Sequence, residues 1–196
     1  MKHGQLLSLL LSSSLILGGC GVITTQNTKP GTQAGPAGGL FFTQNTGDVW
    51  KLRNDLYSIG TPKKIQYSSV AFLKFDPSDP RALYLGTNNG IYYTYNDGEG
   101  WFQTKPGSGI VNDLAIDPHD KCILYAAVHD KIYKSDDCAR NWTLVHFSSL
   151  KGQFFTSIYV SPADSRNILL GSSDGALVLS RNAGVSWEIV RYLESP

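Results

Sequence analysis

The sequence predicts an all-β fold made from a repeated four-stranded unit, and three observations lead to this prediction. No stretch beyond residue 20 shows the long 3.6-residue apolar period of an amphipathic helix. Twenty glycines and nine prolines divide the chain into short apolar runs, as many turns between short strands require. All four tryptophans fall at the same place in a recurring octapeptide. With 41% hydrophobic residues, the chain is apolar enough to bury a core.

The composition of residues 1–19 predicts a signal peptide for export. Lys2 and His3 precede an uncharged run of Leu, Ile and Ser at 6–17, which is too short for a comfortable membrane span. The run ends in Leu-Gly-Gly-Cys at 17–20, which resembles a bacterial lipobox. This resemblance implies cleavage before Cys20 and a lipid on its thiol, which makes the protein a membrane lipoprotein facing the periplasm or the cell exterior. The alternative is an ordinary secretory signal followed by an incidental cysteine.

Residues 20–38 predict a flexible linker between the lipid and the folded part. They are rich in Gly, Thr, Gln and Pro and contain almost no large apolar residue after Ile23. Such a segment cannot bury enough surface to fold. The folded part is therefore expected at residues 39–196.

The repeated octapeptide has the pattern Ser/Thr-x-Asp/Asn-x-Gly-x-Ser/Thr-Trp and occurs at 43–50, 94–101, 135–142 and 180–187. The first three copies depart at the seventh position, and the third also has Ala139 in place of Gly. In this pattern Asp or Asn can bond its own backbone, Gly permits a positive φ, and Trp packs between strands. We therefore interpret the octapeptide as a structural turn and not as a catalytic or metal site. The residues given this role are Thr43, Asn45, Gly47, Trp50, Thr94, Asn96, Gly98, Trp101, Ser135, Asp137, Trp142, Ser180, Asn182, Gly184, Ser186 and Trp187.

A second landmark lies at a nearly fixed distance before the last three tryptophans. Turns that begin at Asp76, Asp117 and Ser161 precede the next tryptophan by 25, 25 and 26 residues, whereas successive tryptophans are 51, 41 and 45 residues apart. Each unit also contains four short β runs, which in the second complete unit are 111–116, 122–128, 131–135 and 142–147. Four antiparallel strands in a period of about 40 to 45 residues are typical of a propeller blade.

The region from Gly39 to Trp187 resembles the Asp-box (BNR-repeat) β-propellers, such as the sortilin-like and photosystem II stability/assembly-factor-like proteins and bacterial sialidases. The segment 85–94, which runs into an octapeptide, is most like the first two groups. The resemblance implies a binding scaffold. About 3.5 blades are expected, fewer than the roughly four that a closed propeller needs at minimum. We therefore expect an incomplete ring, either truncated at the C-terminus or closed by association.

Cys122 and Cys138 form an even pair in a chain expected to be exported. A hairpin turn near 129–130 places residue 122 opposite residue 137. Cys138 is then adjacent to the residue that faces Cys122, which is within disulfide distance. In the chain-entropy estimate, a disulfide that closes this 17-residue loop raises the free energy of unfolding by about 3 kcal/mol. The bridge is hypothesised to compensate for Ala139, and two free thiols are the alternative. No metal site and no cofactor are expected, because the pair lacks histidines at ligand spacing.

The charge distribution argues against a nucleic-acid partner. The net charge is +1, with 17 basic and 16 acidic residues dispersed along the chain. A glycan-active hydrolase is kept as an alternative function, although the Phe/Tyr-Arg-Ile-Pro motif of sialidases is absent. Glycosidases need two opposed carboxylates, and Asp113 is the only acidic residue that is a candidate for this role. The chain is therefore expected to be non-enzymatic.

The leading functional hypothesis is a membrane-anchored binding or assembly scaffold of the bacterial cell envelope, which contacts a protein or glycan through inter-blade loops. The longest loop is 51–69, and its candidate contact residues are Arg53, Tyr57, Lys63, Lys64 and Tyr67. A solvated insertion is the alternative for this loop. A structural envelope protein without a specific ligand is the third hypothesis for the whole chain.

Overall fold

The computed structural model of the chain describes residues 40–61, 63–65 and 69–192. The expected signal peptide, the lipidation site Cys20, the linker and the candidate contact residue Tyr67 lie outside the described residues. Every regular element within the described part is a β-strand. None of it forms a helix long and apolar enough to cross a membrane.

The strands are short, as the many turn residues predict. Their bounds are β1 Phe41–Phe42, β2 Lys51–Leu52, β3 Asp55–Leu56, β4 Lys63–Lys64, β5 Val70–Phe75, β6 Leu83–Thr87, β7 Gly90–Thr94, β8 Phe102–Thr104, β9 Val111–Ile116, β10 Leu124–Val128, β11 Lys131–Ser135, β12 Thr143–Phe147, β13 Phe155–Val160, β14 Ile168–Ser172, β15 Ala176–Ser180 and β16 Glu188–Tyr192. The four runs expected in the second complete unit match β9 to β12, except that β10 and β12 begin at residues 124 and 143.

Three sheets have four antiparallel strands each, in chain order: β5–β8, β9–β12 and β13–β16. We call them blades 1, 2 and 3. Strands β1 and β2 pair only with each other and flank the first octapeptide, so they correspond to the third and fourth strands of a blade, and we call them the half-blade. Strands β3 and β4 form a separate hairpin within the segment interpreted from sequence as a loop at 51–69. The all-β prediction with three complete blades and part of another is confirmed.

The core lies between blades and not within one sheet, because each sheet has two apolar faces. The half-blade side of blade 1 buries Leu83, Leu85, Tyr92 and Trp101, with Leu40, Leu56, Ile65 and Leu73 packed around them. The interface between blades 1 and 2 contains Tyr84, Ile91, Tyr93, Val111, Leu114, Leu124, Ala126, Val128 and Ala139. The interface between blades 2 and 3 contains Ala115, Tyr125, Ala127, Ile132, Phe155, Ile158, Val160, Ile168, Leu170 and Val178.

A histidine in the third of these interfaces makes stability depend on pH. The His146 ring stacks on Trp187 with centroids 5.1 Å apart and lies 5.5 Å from the Phe155 ring. Burial lowers the pKa of His146 from its ordinary value of 6.5. As the pH falls below that value, the unfolded chain takes up a proton that the folded chain does not, so the free energy of unfolding decreases. We expect denaturant titrations between pH 8 and pH 5 to show this loss, and His146→Phe to reduce it; an unchanged pH profile in the variant would contradict the assignment.

Candidate functional site

Each octapeptide closes on itself through the first and third residues. In the fourth copy the Ser180 hydroxyl donates to Asn182 Oδ1 at 3.0 Å and accepts from the amides of Asn182 and Gly184 at 3.3 and 2.9 Å. Asn182 Oδ1 also accepts from the amide of Ser186 at 2.8 Å. The turn therefore uses the polar atoms that its sequence pattern specifies.

The other three copies repeat this arrangement. Thr43 donates to Asn45 Oδ1 at 2.9 Å, and Thr94 donates to Asn96 Oδ1 at 2.7 Å. In the third copy Asp137 Oδ1 accepts from Ser135 at 2.9 Å, and the bonds from the Asn141 backbone and side chain hold the pKa of Asp137 below its usual range. The Asp137 carboxylate is thus ionised and accepts hydrogen bonds within the turn, in line with the structural role that the sequence predicts for the octapeptide.

Two consecutive residues in every octapeptide have left-handed backbone conformations. The fourth residue is never glycine, with φ of 57° at Thr46, 58° at Asp97, 60° at Cys138 and 56° at Ala183. The fifth residue is glycine in three copies, but it is Ala139, with φ of 66°, in the third. Ala139 is fully buried between blades 1 and 2. Burial of its methyl group therefore offsets the cost of placing a side chain in this conformation.

Opposite substitutions at this position should have unequal effects. Ala139→Gly removes backbone strain but also a buried methyl group, so we expect the free energy of unfolding to change by less than about 1 kcal/mol. Gly98→Ala introduces a Cβ at φ of 75°, only 3.2 Å from Trp101 Cζ2 and 3.3 Å from Arg53 Cβ. We expect a loss of about 1–3 kcal/mol there, and urea denaturation of the two variants measures both values. Equal losses at the two sites would contradict the role given to the Ala139 methyl group.

The tryptophans of the three complete blades all contact residues that precede their own sheet in the chain. The Trp101 indole donates to the carbonyl of Arg53 at 2.9 Å, and the Trp142 indole donates to Thr104 Oγ1 at 2.9 Å. Trp187 instead donates to Gly184 in its own turn and stacks on His146 of blade 2. These contacts make each tryptophan part of a joint between neighbouring sheets.

Among the candidate contact residues of segment 51–69, Arg53 is packed, Tyr57 is packed on one side but 54% exposed, and the two lysines are exposed. The Arg53 side chain is mostly buried and lies 3.3 Å from Glu99, and the Tyr57 ring packs on Phe102 with centroids 4.6 Å apart. The Tyr57 hydroxyl also accepts from Asn96 in the second octapeptide at 2.8 Å. These two side chains therefore contact blade 1 and its octapeptide. Lys63 and Lys64 are exposed on the hairpin strand β4, where Lys64 lies 3.6 Å from Asp55.

The structure brings Cys122 and Cys138 into disulfide contact across the start of the third octapeptide. The amide of Cys138 donates to the carbonyl of Cys122 at 3.1 Å. The same backbone bond joins the equivalent positions of the other blades, from Asp97 to Arg81 at 3.1 Å and from Ala183 to Arg166 at 3.0 Å. The cysteines thus sit where every blade already has a cross-link by hydrogen bond.

Asp113, the acid singled out for the hydrolase alternative, is held from three sides. Its Oδ1 lies 2.6 Å from Lys74 Nζ of blade 1 and accepts from the amide of Leu114 at 2.9 Å. Its Oδ2 accepts from the amide of Ile158 in blade 3 at 3.0 Å. Asp113 therefore ties the first strands of three blades together, and its oxygens are occupied by protein partners.

A surface that the sequence reasoning missed lies at the end of the blades opposite the octapeptides. We call it the apolar loop face, and it consists of four exposed side chains: Phe147 at the end of β12, and Ile110, Leu150 and Phe154 on the connections between blades. The amide of His129 donates to the carbonyl of Ile110 at 3.1 Å, and the His129 ring lies 6.0 Å from that of Phe154. Ile110 lies just before the predicted strand 111–116 and Phe147 ends the predicted strand 142–147, so both read as strand residues in the sequence, which hid their exposure.

The carboxylates near the apolar loop face are paired with protein groups. A hydrogen bond from Lys131, 2.8 Å away, holds the pKa of Asp130 below its usual range. Asp174 accepts from Ser172 and, at 2.8 Å, from Gln153, and these bonds lower its pKa as well. Both acids stay ionised and do not supply the raised pKa that a general acid requires. Among the described residues no group of three or more His, Cys, Asp or Glu is placed to hold a metal ion.

No protein-family model matches the chain, and no curated protein matches it by sequence. Among solved structures, an ancestral GH74 enzyme is similar with a TM-score of 0.62 and 16% identity, over 76% of this chain and 21% of that chain. YCF48 from Cyanidioschyzon merolae is similar with a TM-score of 0.53 and 16% identity, over 63% of this chain and 37% of that one. YCF48 bound to D1 peptide is similar with a TM-score of 0.52 and 12% identity, over 62% and 40%.

This chain spans between 21% and 40% of the length of these solved structures. At identities of 12–16% the likeness bears on fold and not on activity. The neighbours include both an enzyme and a protein that binds a peptide, so they leave the two kinds of function open. Together with the three four-stranded sheets, they show that the chain has the β-propeller fold.

Proposed function

We propose that this chain is a non-enzymatic binding or assembly scaffold of the bacterial cell envelope, anchored through a lipid on Cys20. The apolar loop face is its contact surface for a protein partner. The observation that carries the proposal is the exposure of Ile110, Leu150 and Phe154 on neighbouring connections, and of Phe147 at the end of β12, all at one end of the blades. Exposed apolar side chains on loops that a rigid scaffold positions are typical of protein contact sites.

The surroundings of these side chains favour binding over catalysis. Asp130 and Asp174 accept hydrogen bonds from neighbouring polar groups, and Asp113 links three blades. A hydrolase would need an acid free to donate a proton and a second carboxylate opposite it. The peptide-bound YCF48 structure further supports a peptide-binding use of blades like these.

The contact surface is tested by co-purification after chemical cross-linking in intact cells of the source organism. We expect a membrane partner that is retained with the unaltered chain and lost with Phe147→Ser combined with Phe154→Ser. Val185→Ser is the control, because Val185 is also apolar and, at 82%, more exposed than either phenylalanine, but lies in the fourth octapeptide at the other end of the blade. Replacing Lys63 and Lys64 with Ser tests the hairpin β3–β4 as the contact site. Loss of the partner with these lysine variants, and not with the phenylalanine variants, would move the site to the hairpin.

The anchor is tested separately by metabolic labelling with an alkyne fatty acid. We expect the label on the unaltered chain and its absence in Cys20→Ser, together with a shift of the protein from the membrane fraction to the soluble envelope fraction. Equal labelling of both forms, or membrane retention of the unlabelled variant, would contradict an anchor at Cys20.

The glycan-hydrolase alternative is favoured by one observation, the structural similarity to a GH74 enzyme. It predicts release of reducing sugar from a panel of plant and bacterial polysaccharides. We expect no release. Hydrolysis that disappears in a folded Asp113→Asn variant would replace the scaffold proposal with the enzymatic one.

A further inference from the structure

Each complete blade has a leading face toward the preceding sheet and a trailing face toward the next. In blade 1 the leading face includes Leu85, Tyr92 and Trp101, and the trailing face includes Tyr84, Ile91 and Tyr93. All six side chains are buried, the first three against Leu40, Leu56 and Ile65 and the last three against blade 2. Two faces in the described part of the chain lack such a neighbour: the trailing face of blade 3 and the leading face of the half-blade.

The trailing face of blade 3 is apolar. It carries Tyr159, Leu169, Leu177 and Leu179, which share one side because Leu169 pairs with both Tyr159 and Leu179, and Leu177 lies two residues from Leu179. Leu169 and Leu177 occupy the repeat positions of Tyr84 and Ile91. Yet the three leucines are only half-buried and Tyr159 is exposed, whereas Tyr84 and Ile91 are completely buried.

The leading face of the half-blade is apolar as well. Phe41 pairs with Leu52, and Trp50 lies two residues before Leu52, so the three side chains share a side. Leu40 is on the opposite side and packs against blade 1. Phe41 occupies the repeat position of Tyr92, but it is 45% exposed where Tyr92 is 1% exposed.

We propose that these two faces bind each other between two copies of this chain, head to tail. The contact continues the interface that already joins blade to blade, since it places a trailing face of leucines against a leading face of aromatic residues. Because each copy carries one face of each kind, two copies can make two such contacts and form a closed pair instead of an open filament.

The repeat also fixes the partner of Trp50. The Trp142 indole bonds Thr104, which lies three residues after the tryptophan of the preceding blade, and the Trp187 ring stacks on His146, four residues after Trp142. Counting from Trp187, the equivalent positions on β16 are 190 and 191. The Trp50 ring of one copy is thus expected to lie on Val190 and Arg191 of the other, and both are exposed in the single chain.

Sedimentation velocity of the full chain carrying Cys20→Ser, which removes the expected lipid, tests the proposal. We expect the one-chain mass at low concentration and the two-chain mass as the concentration rises. Trp50→Asp alters only the leading face and Leu177→Asp only the trailing face, and each should raise the dimer dissociation constant at least tenfold. Phe41→Ser and Tyr159→Ser repeat the test with milder changes, and circular dichroism of every variant establishes that it is folded.

Mixing the two aspartate variants distinguishes head-to-tail pairing from any other dimer. One contact of the mixed pair joins two unaltered faces, so we expect dimers in the mixture at concentrations where each variant alone is monomeric. A chain that stays monomeric at about 100 times the concentration used for its stability measurements would overturn the proposal. So would a dimer that both aspartate variants retain, or a mixture that associates no better than its components.

Discussion

Trp101→Ala should lower the free energy of unfolding by about 3–5 kcal/mol, the range for removing a large aromatic side chain from a core. Trp101 is 0% exposed and packs with Leu83, Leu85 and Tyr92. Its indole N–H also donates to the carbonyl of Arg53, so the substitution removes a hydrogen bond from a partly buried acceptor. The loss should be large because the side chain joins blade 1 to the segment before it.

Trp50→Ala is the matched control, since Trp50 occupies the same octapeptide position but is 44% exposed. We expect it to cost less than about 1 kcal/mol. Both values are measured by urea denaturation at concentrations where the chain is monomeric, so that association at the half-blade does not contribute. Similar losses for the two variants would show that the tryptophan stabilises its own turn, and would contradict a role in joining blades.

The contrast between these tryptophans shows what the sequence could predict. The octapeptide pattern is local, so the turn, the left-handed glycine of three copies and the flanking strands follow from it, whereas the left-handed fourth residue and Ala139 do not. Burial of the tryptophan depends on the neighbouring sheet, which the pattern does not encode. The sequence therefore predicted the blades and their order, but not which faces of the series are covered.

The candidate site was harder to predict, for a related reason. Arg53 is a charged residue in a long connection, a pattern typical of exposed loops, yet its side chain is only 18% exposed and packs beside Glu99 of the second octapeptide. Phe147 and Phe154 are large apolar residues beside strands, a pattern typical of the core, yet both are exposed. Composition cannot separate these cases, because exposure at the blade ends is decided by how the connections cross between sheets.

Reduction of the Cys122–Cys138 pair should lower the free energy of unfolding by about 3 kcal/mol, the chain-entropy estimate for a loop of this size. The fold itself should survive. In blades 1 and 3 the equivalent positions are joined only by backbone hydrogen bonds, from Asp97 and Ala183, and both blades are complete. The bridge thus reinforces a joint that the architecture already makes.

The experiment compares urea denaturation with and without reductant, using Cys20→Ser so that only two of the three cysteines remain. A variant with both Cys122→Ala and Cys138→Ala is the control and should not respond to reductant. Alkylation of the denatured protein without reductant should add no mass to the cysteine pair. Immediate alkylation of both thiols would show that they are free. The disulfide could then not compensate for Ala139, and only burial of the Ala139 methyl group would offset its backbone conformation. A bridge that costs little to reduce would instead mean that the hydrogen-bonded joint alone fixes the third octapeptide, as it does in the neighbouring blades.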